Sequence, residues 1–330
     1  MDLPLFSACF AAAALTLYVM LDGFDLGVGV LLLFQKRDAA RNHMIDSITP
    51  TWDGNETWLV MTGIILFTAF PIAYGIIMPA FYLPIIIMLL SLGLRGVSFE
   101  FRVQMKALRR QWDTVFGIAS LIAASMQGLI VGGLLQGVEL EGKRFTGSVT
   151  DVFRPLPLLI GVTLVFGYCV LGAGWLIYKS NAIIRQFARA SLRATSVGLI
   201  LLFGYGCAYS ALIQSGVRLA WALHTVPLSA IIIFFTLAGV AALVSTWSKI
   251  TVLPFVFGLS IFLLGIAGLS VVVFPNIIPF RISLWDAASP AASQKFLLVG
   301  ATLVTPVVLA YSAFAYWVFR GRTPEKGWEQ

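Results

Sequence analysis

VLPFVFGLSIFLLGIAGLSVVVF, residues 252–274, runs for 23 residues without a charged side chain. It shows no period-two alternation, so it is not a half-buried strand. As a helix rising 1.5 Å per residue it extends about 34 Å. That length crosses a hydrocarbon core of about 30 Å. Lipid offers backbone groups no hydrogen-bond partners, so a span must be a helix or part of a closed barrel. A long continuous apolar run is the helical solution.

The rest of the chain repeats this pattern. Apolar residues make up 59% of it and charged residues 11%, with a mean hydropathy of +0.92. Soluble domains carry about 45–50% and about 25%. The chain therefore reads as an all-α integral membrane protein, one polytopic membrane domain over 1–330. Nine spans are expected, near 3–34, 56–77, 80–98, 114–136, 156–178, 194–214, 222–244, 252–274 and 295–319. A short turn around Pro71 and Pro79 separates the second from the third. The opening MDLPLF lacks the basic region of a signal peptide, so the first run is expected to be retained as a span.

The net charge of +7 raises the question of nucleic acid, but its distribution answers otherwise. Basic residues concentrate in alternate loops: Lys36, Arg37 and Arg41; Arg102, Lys106, Arg109 and Arg110; Lys179, Arg185, Arg189 and Arg193; Lys249; and the tail with Arg320, Arg322 and Lys326. The other loops are poorer. The positive-inside rule puts the rich loops and the C-terminus in the cytoplasm and the N-terminus outside. Cys9, Cys169 and Cys207 lie in apolar runs and suggest neither a disulfide framework nor a metal site.

Polar groups inside such runs are expensive. Asp22 and Asp25, in LDGFDLGVG, lie three residues apart on one helix face. Counting back from Lys36, Asp25 lies about 15 Å inside the cytoplasmic end. An ionised carboxylate there costs at least about 2.5–3.5 kcal/mol. Gly23, Gly27 and Gly29 invite close approach of a neighbouring helix. Two readings stand: acids bonded into helix packing, or members of a proton or ion relay.

The segment TPTWDGNETWLV, residues 49–60, starts the second span. Asp53 and Glu56 have the spacing of a capping box, and Trp52 and Trp58 read as interfacial anchors. The same acids at the cytoplasmic surface also suit a proton entrance. Glu100 is expected in a surface charge cluster with Arg95, Arg102 and Lys106. Gln127 and Ser125 are expected to bond between helices, and Trp285 with Asp286 to cap and anchor the last span. His43 and His224 should lie at opposite membrane faces, so they cannot share one haem. No P-loop or nucleophile signature occurs.

LDGFDLGVGVLL (21–32) followed by SITPTWDGNETWLV (47–60) closely resembles subunit II, the small subunit, of cytochrome bd-type quinol oxidases. LRGVSFEFR (94–102), LLQGV (134–138), FPNIIPF (274–280), SLWDAAS (283–289) and YSAFAYWVFRGR (311–322) extend the resemblance over essentially the whole chain. The DGNETWL form and short length resemble the cyanide-insensitive branch.

The resemblance implies a complex with a haem-bearing subunit I in the bacterial inner membrane. That partner would carry two b-type haems and a d-type haem, or b-type haems only, together with the quinol site. No cofactor is expected in this chain. The complex would oxidise quinol and reduce oxygen to water with cytoplasmic protons, electrogenically and without pumping. The resemblance also allows a small single-span accessory subunit and a structural quinone or lipid. It assigns Asp53 to a proton path, makes Asp25 a further member, and puts an oxygen-access channel near Trp58. Asp22 and Glu56 are expected on the same path, although relatives carry Gln where Glu56 stands. The competing readings are a proton- or cation-coupled secondary transporter using Asp22 and Asp25, and a purely structural scaffold.

Overall fold

Proline decides where the second expected span breaks. The computed structural model describes residues 2–324; Lys326, one of the basic tail residues, lies outside them. From the N-terminus come α1 (Leu3–Leu32), α2 (Asp38–Asp46), α3 (Trp52–Ala69), α4 (Pro71–Ala80) and α5 (Tyr82–Gln104). Phe70 precedes Pro71 and leaves helical geometry, at φ −134° and ψ 60°, because the proline ring crowds the residue before it. The Ala69 carbonyl then accepts from Ser289 N–H at 2.8 Å, as a broken helix in lipid requires. The expected second span is thus divided between α3 and α4. Pro79 lies inside α4 rather than in a turn.

Next come α6 (Arg109–Gln136), a hairpin of β1 (Leu140–Glu141) and β2 (Arg144–Phe145), α7 (Pro155–Lys179), α8 (Ala182–Ile213), α9 (Ser215–Leu223) and α10 (Thr225–Ser245). Then follow α11 (Leu253–Val273), a second hairpin of β3 (Asn276–Ile278) and β4 (Ile282–Ser283), α12 (Leu284–Ala287) and α13 (Ala291–Val318). Both strand pairs are antiparallel. Among the described residues, eight helices are long and apolar enough to cross a membrane: α1, α5, α6, α7, α8, α10, α11 and α13. Several basic residues expected in loops sit on helices instead: Arg41 is in α2, Arg109 and Arg110 open α6, and Lys179 ends α7. Arg185, Arg189 and Arg193 open α8, and Arg102 closes α5.

α1 runs between α3, α6 and α7. Glycine permits this: a Cβ on Gly27 would stand 1.8 Å from the Tyr168 carbonyl oxygen, and one on Gly172 2.5 Å from the Gly27 carbonyl carbon. The two backbones touch where the small-residue pattern of α1 predicts contact. Gly29 meets Ser120 and Phe116 of α6 in the same way.

Contacts sort the loops into two ends. At the first-loop end, Trp175 Nε1 donates to Ser47 O at 3.3 Å and Lys179 Nζ to Phe319 O at 2.6 Å. Asp113, at the start of α6, accepts from Arg41 Nε at 3.1 Å and from Arg102 Nε at 2.5 Å, while Arg102 Nη2 also holds Asn42. This buried clamp ties α2 to α5 and α6. At the opposite end, Gln214 bonds the Gln136 carbonyl. His43 lies at the first end, on α2, and His224 caps α9 at the other.

Candidate functional site

The polar centre forms where α1, α3 and α5 meet. Asp22 and Asp25 on α1 are 0% and 1% exposed. Leu32 ends the helix seven residues beyond Asp25, about 10 Å away. Arg95 comes from the middle of α5 and is itself fully buried. Its Nη2 atom donates to both Asp22 Oδ1 and Glu56 Oε1, forming a triad across three helices. The Glu56 side chain keeps 24% exposure, so the triad faces the outside through α3.

Asn55 handles the second acid. Its amide nitrogen donates to Asp25 Oδ2 at 2.7 Å and to Leu21 O at 3.2 Å. Its amide oxygen accepts from the Tyr316 hydroxyl of α13 at 2.9 Å. Below Asp22, Gln127 of α6 donates to Tyr18 Oη at 2.7 Å and accepts from Tyr168 Oη at 2.6 Å. Asp22 Oδ2, Asp25 Oδ1, and Arg95 Nε and Nη1 are buried without a hydrogen-bond partner among the described residues. Buried polar atoms of this kind are normally satisfied. Four of them around one cluster mark a place where a buried water would find polar partners.

Several expectations change here. Asp53 is exposed in the first turn of α3, but neither it nor Glu56 caps that helix. Thr51 is the N-cap residue but its hydroxyl donates back to Ile48 O at 3.4 Å and makes no capping bond, while Glu56 is drawn to Arg95. Trp58 is no interfacial anchor: it is 1% exposed and packs in an apolar cluster with Tyr18, Ile65 and Ala69. Trp52 stacks on Phe99 with ring centroids 4.8 Å apart. The surface cluster around Glu100 does not form. Glu100 is exposed, while Arg95 and Arg102 turn inward to acids on other helices. Gln127 does bond between helices, whereas Ser125 bonds Leu121 O on its own helix. Asp286 does not cap the last span. It sits in α12, whose cap is Ser283, and Trp285 Nε1 bonds Asp2.

Arg95, Asn55 and Tyr316 are the members of the site that sequence reasoning missed, as it missed Asp113 in the separate clamp. For Arg95 a signal was present: a lone arginine in IIIMLLSLGLRGVSF (85–99) is costly in lipid unless an acid meets it.

The family model for cytochrome bd terminal oxidase subunit II matches residues 3–319. The chain belongs to the cytochrome bd terminal oxidase subunit II family. A subunit II from Haemophilus influenzae, described as a probable cytochrome oxidase subunit 2, is 30% identical over 91% of this chain and 90% of its own length. The cytochrome bd-I ubiquinol oxidase subunit 2 of Escherichia coli K12 is 28% identical over 95% and 93%. The Bacillus subtilis cytochrome bd ubiquinol oxidase subunit 2 is 27% identical over 94% and 93%. A chain in the structure of bd oxidase from Geobacillus thermodenitrificans shares the fold, with a TM-score of 0.77, 15% identity, and 97% and 99% coverage. As a subunit II, the chain is one part of a respiratory oxidoreductase, a multi-pass protein of the bacterial inner membrane. It works with a subunit I, in a complex that carries haems. Within this subunit II the two histidines stand at opposite ends of the bundle and cannot meet on one iron.

Proposed function

We propose that this subunit II supports subunit I of a quinol:oxygen oxidoreductase and carries protons from the cytoplasm towards it. The observation behind this reading is the buried Glu56–Arg95–Asp22 triad, with Asp25 one turn further on and Asp53 exposed one turn before Glu56. Two carboxyl groups, Asp22 and Glu56, share one guanidinium, and a third, Asp25, is buried one turn away. A buried carboxylate without compensation is costly, so three acids against one guanidinium favour the uptake of protons by the cluster. Reduction of oxygen to water consumes protons, and a chain of acids from surface to interior delivers them. The basic loops favour placing Asp53 on the cytoplasmic side. The names of the E. coli and B. subtilis relatives support quinol as the electron donor.

The finer assignments follow the same resemblance: b-type haems, with or without haem d, on subunit I; a small accessory subunit; and oxygen access near Trp58. The apolar surroundings of Trp58 support the last, since a small apolar gas crosses such packing more readily than a charged group does. The transporter reading is weakened by the family match, which spans residues 3–319.

The test is Asp53→Asn and Asp25→Asn in the intact complex, with assembly checked by the haem spectrum. Quinol-dependent oxygen uptake should fall about 10²-fold, the scale of a lost proton-transfer group. Full turnover in both assembled variants sinks the proton path.

A further inference from the structure

Asn55 is fully buried, and its orientation is fixed by chemistry rather than by packing alone. Leu21 O only accepts, so the amide nitrogen must face it, and the same nitrogen reaches Asp25 Oδ2. The amide oxygen is left for a donor, and the Tyr316 hydroxyl is that donor, at 2.9 Å across 261 residues of sequence. Both amide protons and the amide oxygen are thereby engaged. Asp25 is left with one oxygen held and the other, Oδ1, buried and without a partner among the described residues. Tyr316 also lines a pocket of about 10 Å³ at the first-loop end, with Ser47, Thr51, Trp175 and Lys179 on its walls. That is room for one water, so the phenol joins solvent-sized space to the Asn55 amide.

We propose that Tyr316 is a positioning residue for the acid relay. It holds the Asn55 amide so that Asp25 presents Oδ1 alone for proton exchange. The inference rests on the proton-path reading above and adds a residue from α13, an element outside both acid motifs. An amide does not readily pass a proton itself, so Asn55 and Tyr316 orient the carboxyl and do not relay. Without the phenol, the amide oxygen is buried with no donor, and it recovers one only by moving away from Asp25. The charged and titratable groups around Asp25 are Asp22 on α1, Glu56 on α3, Arg95 on α5 and Tyr316 on α13.

The experiment uses the purified complex with Tyr316→Phe, Asn55→Leu and Asp25→Asn, each checked by haem spectrum. Turnover and the quinol KM are measured, together with the infrared carboxyl band that Asp25→Asn removes. Tyr316→Phe and Asn55→Leu should each lower kcat about three- to tenfold, the scale of one lost hydrogen bond. The quinol KM should stay unchanged and the carboxyl band should move. Wild-type kcat with an unmoved band in either assembled variant overturns the proposal, and so does loss of haem from both, which makes the two residues structural. If Asp25→Asn is slow while Tyr316→Phe is normal, only the positioning role falls. If Asp25→Asn itself turns over normally, the relay falls and takes this inference with it.

Discussion

Arg95 and Asp22 form an ion pair with both side chains at 0% exposure, linking α5 to α1 across 73 residues. Removing one member of such a pair costs about 3–5 kcal/mol, because the other charge is left buried alone. Arg95→Met should therefore destabilise the complex severely. Adding Asp22→Asn to Arg95→Met should recover part of the loss. The melting temperature and haem content of the two variants measure this, and a double variant worse than the single one refutes the coupling.

Glu56 should tolerate glutamine. A Gln oxygen at the same place still accepts from Arg95, and Asp22 still balances the guanidinium. The exchange replaces a charge-assisted bond with a neutral one of about half its strength. Glu56→Gln should assemble normally, whereas Glu56→Leu, which offers no acceptor, should lower haem content.

Gly27 and Gly63 should respond in opposite ways to the same substitution. A Cβ on Gly27 meets the Tyr168 carbonyl oxygen at 1.8 Å, while one on Gly63 meets nothing within 4 Å. Gly27→Ala must push α1 from α7 and should prevent assembly. Gly63→Ala should be neutral or stabilising by up to about 1 kcal/mol through helix propensity. Thermal melts of the complex separate them.

Asp113 neutralises two buried arginines, Arg41 and Arg102, over α2. Asp113→Asn leaves both charges without a counter-ion and should loosen the first loop. Arg37, exposed just before α2, is a trypsin site. Cleavage there should accelerate several-fold while the rate at exposed Arg218 stays as it was.

Trp58 is buried, and its indole nitrogen has no acceptor among the described residues. Trp58→Phe removes that unpaired group and shrinks the ring, so assembly should survive. Widened packing should lower the apparent KM for oxygen and leave the quinol KM alone. Equal movement of both constants speaks against gas access here.

The acids themselves were legible. Asp22, Asp25, Asp53 and Glu56 stand out because charge in an apolar run is expensive, and all but Asp53 converge on one cluster. Their partners were not legible. Glu56 has the spacing of a cap, and an isolated helix would use it so; the nearby guanidinium offers a stronger bond than a backbone N–H. Trp58 has the composition of an interface anchor, yet it is buried in an apolar cluster drawn from several elements, α1 and α4 among them. Tyr316 looks like one aromatic among many in α13, and only its hydroxyl's position against Asn55 sets it apart.

Hydropathy by itself determined an all-helical membrane protein, because lipid leaves a long apolar segment no other way to satisfy its backbone. Glycine spacing determined that α1 would be closely packed, and the two acid motifs determined the family. The tertiary structure decided which charge meets which. It placed Arg95 between Asp22 and Glu56, Asn55 between Asp25 and Tyr316, and Asp113 between Arg41 and Arg102. Such pairings depend on how helices cross tens to hundreds of residues apart in sequence, and local periodicity carries no record of that geometry.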